Sequence, residues 1–152
     1  MIEVNDTAPD IALPAAGDKQ FRLKDLNGPC IVFFYPKANT PGCTTEAKEF
    51  SAQKEELEKL GFTVVGISAD PVTKLDKFAA KHDLTVELAS DEELNVLNAY
   101  GVWVEKSMYG KKFMGIERST FLIDASGIVR HVWRKVKVKN HVAEVLEVAK
   151  TL

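Results

Sequence analysis

The sequence predicts an α/β fold: a central mixed β-sheet flanked by helices, with an N-terminal strand pair at one edge. Three observations carry this. Short, nearly uncharged runs of β-branched and aromatic residues alternate with segments of helical periodicity, as in β-α-β units. From residue 119 the pattern changes to two strand-like runs joined by a turn, the mark of an antiparallel hairpin. The chain of 152 residues, 45% hydrophobic and 28% charged, has the balance of one globular domain over 1–152, and no repeat, low-complexity run or linker divides it.

In chain order, Ala8 to Leu23, broken by Pro9, Pro14 and Gly17, reads as the peripheral strand pair. Cys30–Tyr35 and Phe62–Ser68 carry no charge and read as central strands buried on both faces. Between them Ala47, Phe50, Leu57 and Leu60 recur at spacings of three and seven, one stripe of a helix whose other faces carry Glu and Lys. Asp70 as cap and Pro71 as first helical residue open a second helix, with Leu75, Phe78, Ala79 and His82 on one face. A short helix is expected from Ser90, with Glu93 completing a capping box. Ser119–Ile123 and Ile128–Trp133 form the hairpin around Asp124-Ala125-Ser126-Gly127. Asn140 caps a last helix that turns Val142, Val145, Leu146 and Ala149 inward. Crossovers followed by a hairpin and a closing helix fit a thioredoxin-like arrangement.

Twenty Lys and Arg against twenty-two Asp and Glu leave a formal net charge of −2, which argues against a nucleic-acid partner. The first residues carry no basic region leading into an apolar run, and no apolar stretch approaches the ~20 residues that span a bilayer. A cytoplasmic protein with no membrane partner is expected. A chain this long buries about 68 to 70% of its unfolded surface, so it needs no disulfide or metal to stay folded. Its two cysteines, Cys30 and Cys43, are too few for a secreted disulfide scaffold or a zinc site. His82, His131 and His141 read as structural or solvated, with no carboxylate or cysteine set around them, so no metal site is expected. Arg134, Lys135, Lys137 and Lys139 alternate with Val136 and Val138, as in a strand end with one solvated face. Trp103, beside Tyr100 and Val102, reads as packing, with a place on the rim of the pocket as the alternative.

The chemistry points to Cys43. It lies in Pro36-Lys37-Ala38-Asn39-Thr40-Pro41-Gly42-Cys43-Thr44-Thr45-Glu46, where a buried strand leads into a helix at the carboxyl end of the sheet. With Thr40 as N-cap and Pro41 first in the helix, a sulfur in the first turn faces unpaired backbone N–H groups and the positive end of the helix dipole. A thiol of ordinary pKa, about 8.5, is only roughly 3% ionised at pH 7, so a nucleophile needs its thiolate favoured. The helix end supplies about 0.3 to 1 kcal/mol, under one pKa unit, and a fixed cation must supply the rest. Arg118, just before the strand Ser119–Ile123, is the candidate, since a guanidinium donates in two directions from one plane. Packing as a small buried hydrophobe is the alternative for Cys43, and ordinary capping and strand termination are the alternatives for Thr40 and Pro36.

Cys30 reads as packing. It starts the strand beyond whose far end Cys43 lies, a separation of roughly 15 to 20 Å at ~3.3 Å per residue. A disulfide tolerates Cα separations of only up to about 7 Å.

Pro36-x-x-x-Thr40-x-x-Cys43 with Arg118, inside the longer strings Tyr35 to Thr44 and Met108 to Asp124, resembles the bacterioferritin comigratory protein, or peroxiredoxin Q, group of peroxiredoxins. The resemblance runs from Asp6 to the last helix. It implies a thioredoxin fold and thiol-dependent reduction of hydrogen peroxide and organic hydroperoxides, with no metal or organic cofactor. It carries over Cys43 as the nucleophile, Thr40 as a hydroxyl orienting the peroxide and Pro36 as a shield over the sulfur. Arg118 becomes the activating cation and Glu46 the residue that orders it. Many members of the group carry a resolving cysteine five residues after the nucleophile, here Lys48, or in the following helix, here Lys77–Asp83 without a cysteine.

That departure leads us to expect a one-cysteine cycle, in which an external thiol (thioredoxin, glutaredoxin or a small thiol) reduces the Cys43 sulfenic acid. A dithiol oxidoreductase is disfavoured, because Thr44, Thr45 and Glu46 follow Cys43 where a second cysteine would stand. The rival reading is a non-catalytic thioredoxin-like redox sensor or partner-binding module, which would oxidise once and stop. A monomer is expected, with a dimer as the alternative.

Overall fold

A computed structural model describes residues 2–152. Its strands are β1 (Ala12–Ala15), β2 (Lys19–Arg22), β3 (Cys30–Phe34), β4 (Thr63–Ser68), β5 (Glu87–Ser90), β6 (Trp103–Met108), β7 (Lys111–Ile116), β8 (Ser119–Ile123) and β9 (Val129–Trp133). Its α-helices are α1 (Pro41–Lys59), α2 (Val72–His82), α3 (Asn95–Ala99) and α4 (His141–Ala149). Seven strands form one mixed sheet in the order β2-β1-β5-β4-β3-β8-β9, and β6 and β7 form a separate two-stranded sheet. The β3, β4 and β5 strands run parallel, and β8 closes antiparallel on β3. The fold class and the N-terminal strand pair at the sheet edge stand as expected.

Period-two alternation along β3 divides the core. Cys30, Val32 and Phe34 pack on one face with β1, α3 and the root of the β6–β7 hairpin. Ile31 and Phe33, followed by Tyr35, pack on the other with α1, α2 and α4. Every residue of β3 is fully buried, which explains its uncharged sequence. Gly66 on β4 lies beside Phe33 in register, and the ring crosses the space a side chain there would fill, stacking on Phe50 of α1 with centroids 4.6 Å apart. The helix that carries Cys43 is thus seated on the central strand.

Several expected details differ. Leu60 caps α1 by position but is exposed, because the helix ends at Lys59. Asp70 does not cap α2: its carboxylate turns inward to accept the Ala38 N–H at 2.7 Å and the Ser68 hydroxyl at 2.8 Å. Ser90 ends strand β5 rather than opening a helix, and Asp91 accepts the Leu97 N–H of α3 at 2.8 Å. The Asn140 side chain makes no cap, since its backbone is left-handed, with φ of 61°. The β9 strand stops at Trp133, so the basic stretch after it is not a strand end. Arg134 instead lies over the Phe121 ring, and the Val136 N–H donates to the Arg118 carbonyl at 2.9 Å.

Candidate active site

The site forms where β3 ends, α1 begins and β8 starts. Thr40 occupies the N-cap with an extended backbone, and its carbonyl accepts the Thr44 N–H at 2.8 Å. Its hydroxyl does not cap the helix as expected but donates to the Lys37 carbonyl at 2.8 Å, tying the loop to itself. Pro41 follows at the first helical position, where a missing N–H costs nothing. The Gly42 and Cys43 N–H groups therefore point out of the helix start with no protein partner among the described residues. Cys43 sits in this turn with 1% of its surface exposed, in the same packing cluster as Tyr35 and Phe78.

Arg118, in the link between β7 and β8, reaches Cys43 from the start of the strand next to β3. Its Nη2 donates to Cys43 Sγ at 3.1 Å and its Nη1 to Glu46 Oε1 at 2.6 Å. One guanidinium plane thus joins a residue in the first turn of α1 to one in its second turn. Burial works against this cation, but Glu46 and Cys43 together hold Arg118 more firmly protonated than usual. Gly42 leaves room for it, since a Cβ there would stand 3.3 Å from Arg118 Nη2 and 3.9 Å from Val138 Cγ2.

Beneath Arg118 lies a polar layer the sequence did not disclose. Glu46 is wholly buried, and burial pushes its carboxyl up to about 7 although Arg118 pulls it down. Its second oxygen, Oε2, has no hydrogen-bond partner and lies 4.0 Å from His141 Nε2, which is itself 2.8 Å from Thr120 Oγ1. Burial first, and then Arg118, lower the His141 pKa to about 4, so this ring is neutral. Nothing in the spacing of Thr120 or His141 marks them, because their partners are 21 to 95 residues away in sequence. Burial first, and then the Arg118 charge, lower the pKa of Lys106 on β6, while Cys43 and Glu117 raise it.

Of the residues singled out from sequence, Cys43, Arg118 and Glu46 are in one contact chain, and Thr40 and Pro36 stand on the loop between β3 and α1. Cys30 is buried on the opposite face of the sheet, and burial, then Glu87, push its thiol far up. His82 bonds Asn39 Oδ1 at 2.9 Å and His131 lies against Trp133. Among the described residues no cluster of three or more His, Cys, Asp or Glu is placed to hold a metal ion, and no helix is long and apolar enough to cross a membrane.

Residues 4–132 match the AhpC/TSA family. Peroxiredoxin Bcp of Bacillus subtilis is 45% identical over 152 residues, covering 99% of this chain and 97% of the relative. Peroxiredoxin Bcp of Escherichia coli K12 is 45% identical over 141 residues, covering 92% and 90%. Among solved structures, the Xanthomonas campestris bacterioferritin comigratory protein, described for its alkyl peroxide reduction, superposes with a TM-score of 0.89 at 40% identity, covering 99% of this chain and 96% of that one. A cysteine-to-serine variant of Xylella fastidiosa PrxQ gives 0.94 at 38% identity, covering 99% and 97%. The chain belongs to the AhpC/TSA family and, within it, to the Bcp or Q peroxiredoxins, which are thiol-dependent peroxidases.

Proposed function

We propose that this peroxiredoxin reduces hydrogen peroxide and organic hydroperoxides through Cys43 alone, with an external thiol closing the cycle. The observation that carries the reading is the single Arg118 guanidinium donating to both Cys43 Sγ and Glu46 Oε1. A cation fixed by a buried carboxylate favours the thiolate and offers N–H groups to a peroxide oxygen as charge moves along the O–O bond. The sulfur attacks one oxygen, the O–O bond breaks, and the other oxygen leaves and takes up a proton as water or alcohol. Cys43 is then a sulfenic acid. The unpaired Gly42 and Cys43 N–H groups supply further donors, Thr40 orients the peroxide from the same loop, and Pro36 covers the sulfur.

The second half of the cycle needs a thiol from outside. Cys30 lies on the far face of the sheet from Cys43 and is paired on both sides, to Thr63 and Ile123, in the middle of the fold. An external thiol attacks the sulfenic sulfur and releases water, and a second thiol then releases the mixed disulfide and restores Cys43. Thioredoxin, glutaredoxin or a small thiol meets this chemistry.

The test is one equivalent of hydrogen peroxide in the presence of a dimedone-type trap, followed by peptide mapping. An adduct on Cys43 with Cys30 free is the expected result, together with full thiol-driven turnover by Cys30→Ser. A Cys30–Cys43 or intermolecular disulfide would overturn the one-cysteine cycle. Oxidation that stops after one equivalent despite excess thiol would favour a sensor over a peroxidase.

A further inference from the structure

A cavity of about 330 Å³ opens beside the Cys43 loop, and its lining includes Lys37, Lys74, Lys77 and Lys81 together with Asp70 and Phe78. Lys74, Lys77 and Lys81 recur at spacings of three and four along α2, on one side of the helix, and Lys37 faces them from the loop. None of the four lysines forms an ion pair among the described residues. Asp70 is the one carboxylate in the lining, and its Oδ2 turns inward to the Ala38 N–H and the Ser68 hydroxyl. Asp76, also on α2, is engaged by the Gly17 N–H at 2.8 Å. Four lysines against one carboxylate leave three positive charges in excess, on a chain whose formal net charge is −2. Like charges one turn apart on a helix repel each other, and a bound anion relieves that repulsion.

The cavity borders the loop that leads into α1 and Cys43. Lys37, Ala38 and Asn39 of that loop line it, and the Lys37 carbonyl accepts the Thr40 hydroxyl. Phe78, a buried ring, gives the cavity an apolar floor beside its lysines.

We propose that this cavity binds the thiol that reduces the Cys43 sulfenic acid, and that this thiol is a small acidic one carrying two or more carboxylates. The inference rests on the one-cysteine cycle and adds the chemical class of its reductant. The carboxylates sit among the lysines and the sulfhydryl points along the loop toward Cys43. Its sulfur forms a bond to Cys43 Sγ as the S–O bond breaks, and hydroxide leaves with the thiol proton as water. A second molecule of the same thiol attacks the mixed disulfide, is oxidised with the first to a disulfide, and leaves Cys43 reduced. Because Cys43 is 1% exposed, the sulfenic sulfur must emerge to be attacked.

The test compares mercaptosuccinate, glutathione and thioredoxin with uncharged 2-mercaptoethanol in steady-state peroxide reduction, using the parent protein and a Lys74→Gln/Lys77→Gln/Lys81→Gln variant. We expect kcat/KM for both acidic thiols to fall roughly tenfold in the variant and to fall with added salt in the parent, while the value for 2-mercaptoethanol stays unchanged. Single-turnover oxidation of Cys43 by hydrogen peroxide should be equal in the two proteins, which also verifies folding. An equal loss for charged and uncharged thiols, or no loss for either, overturns the cavity's role and leaves the one-cysteine cycle standing. Loss seen only with a thioredoxin-type protein reductant assigns the lysines to a protein contact and overturns the small-ligand proposal. Failure of all thiols to sustain turnover by the parent overturns the one-cysteine cycle and the proposal with it.

Discussion

Arg118 binds the sulfur and the buried acid with different nitrogens of one plane, so neither its charge nor its shape is replaceable alone. Arg118→Lys keeps the charge but offers a point donor that cannot span both partners. Its rate of Cys43 oxidation should fall on the order of 100-fold, the usual cost of a lost donor to developing negative charge, as read by stopped-flow tryptophan fluorescence. A fall of less than threefold would show that the charge alone suffices. Gly42 yields a subtler outcome. Alanine is the better helix former by about 1 kcal/mol, yet its Cβ would press on Arg118 Nη2 from 3.3 Å. Gly42→Ala should therefore leave the urea midpoint unchanged or raised while slowing peroxide oxidation several-fold; equal rates would mean the guanidinium yields freely. Cys43 and Arg118 are legible in the sequence because the setting of Cys43 is local and Arg118 stands at a strand start. Glu46 is legible only through the family resemblance. His141 and Thr120 are not, since burial next to Glu46 is a property of the assembled fold.

The elements that position the site are those with the clearest periodicity. Strands β3 and β4 are fully or nearly fully buried, so they read as uncharged β-branched runs, and α1 reads through Ala47, Phe50 and Leu57. The β6–β7 hairpin escaped because it stands apart from the main sheet and is mostly exposed, so Glu105, Lys106, Lys111 and Lys112 interrupt any alternation. Its turn uses Tyr109 and Gly110, both at positive φ (53° and 78°), where Asn-Gly is the recognisable signal. Strand β5 has only four residues, and Ser90 at its end mimics a helix cap. The seat of α1 on the sheet is testable through Gly66. A Cβ there would stand 2.5 Å from Phe33 Cζ, and Phe33 has no free direction because Phe50 stacks on it. Gly66→Ala should destabilise the fold by about 1 to 3 kcal/mol in urea titration. It should also slow peroxide oxidation, since the displaced ring pushes on the helix that carries Cys43. Full stability would mean that Phe33 finds another rotamer.

Across the molecule, the buried acid and imidazole next to Arg118 couple the site to global stability, and they do so with opposite signs. The Glu46 carboxyl rises from about 4.5 unfolded to about 7 folded, so its contribution is fully present below 4.5 and is lost as pH rises through 7. His141 falls from 6.5 to about 4, so its contribution is fully present above 6.5 and is lost as pH falls through 4. Between pH 4.5 and 6.5 the two slopes oppose each other, and the fold is buffered against a proton change at its most buried charges. Glu46→Gln removes one of the two. Its unfolding free energy relative to the parent should rise with pH in the variant's favour, by about 3 kcal/mol at most between pH 4.5 and 7, with no further change above. Urea titrations of both proteins at several pH values measure this difference, in which every other titrating group cancels. A difference that stays constant across the range would mean that Arg118, 2.6 Å away, keeps Glu46 ionised throughout and outweighs its burial. At low pH the opposite cost appears in function. A protonated Glu46 ceases to fix the guanidinium, so the parent should lose peroxide reactivity below pH 7 more steeply than the variant, whose Arg118 contact is neutral at every pH.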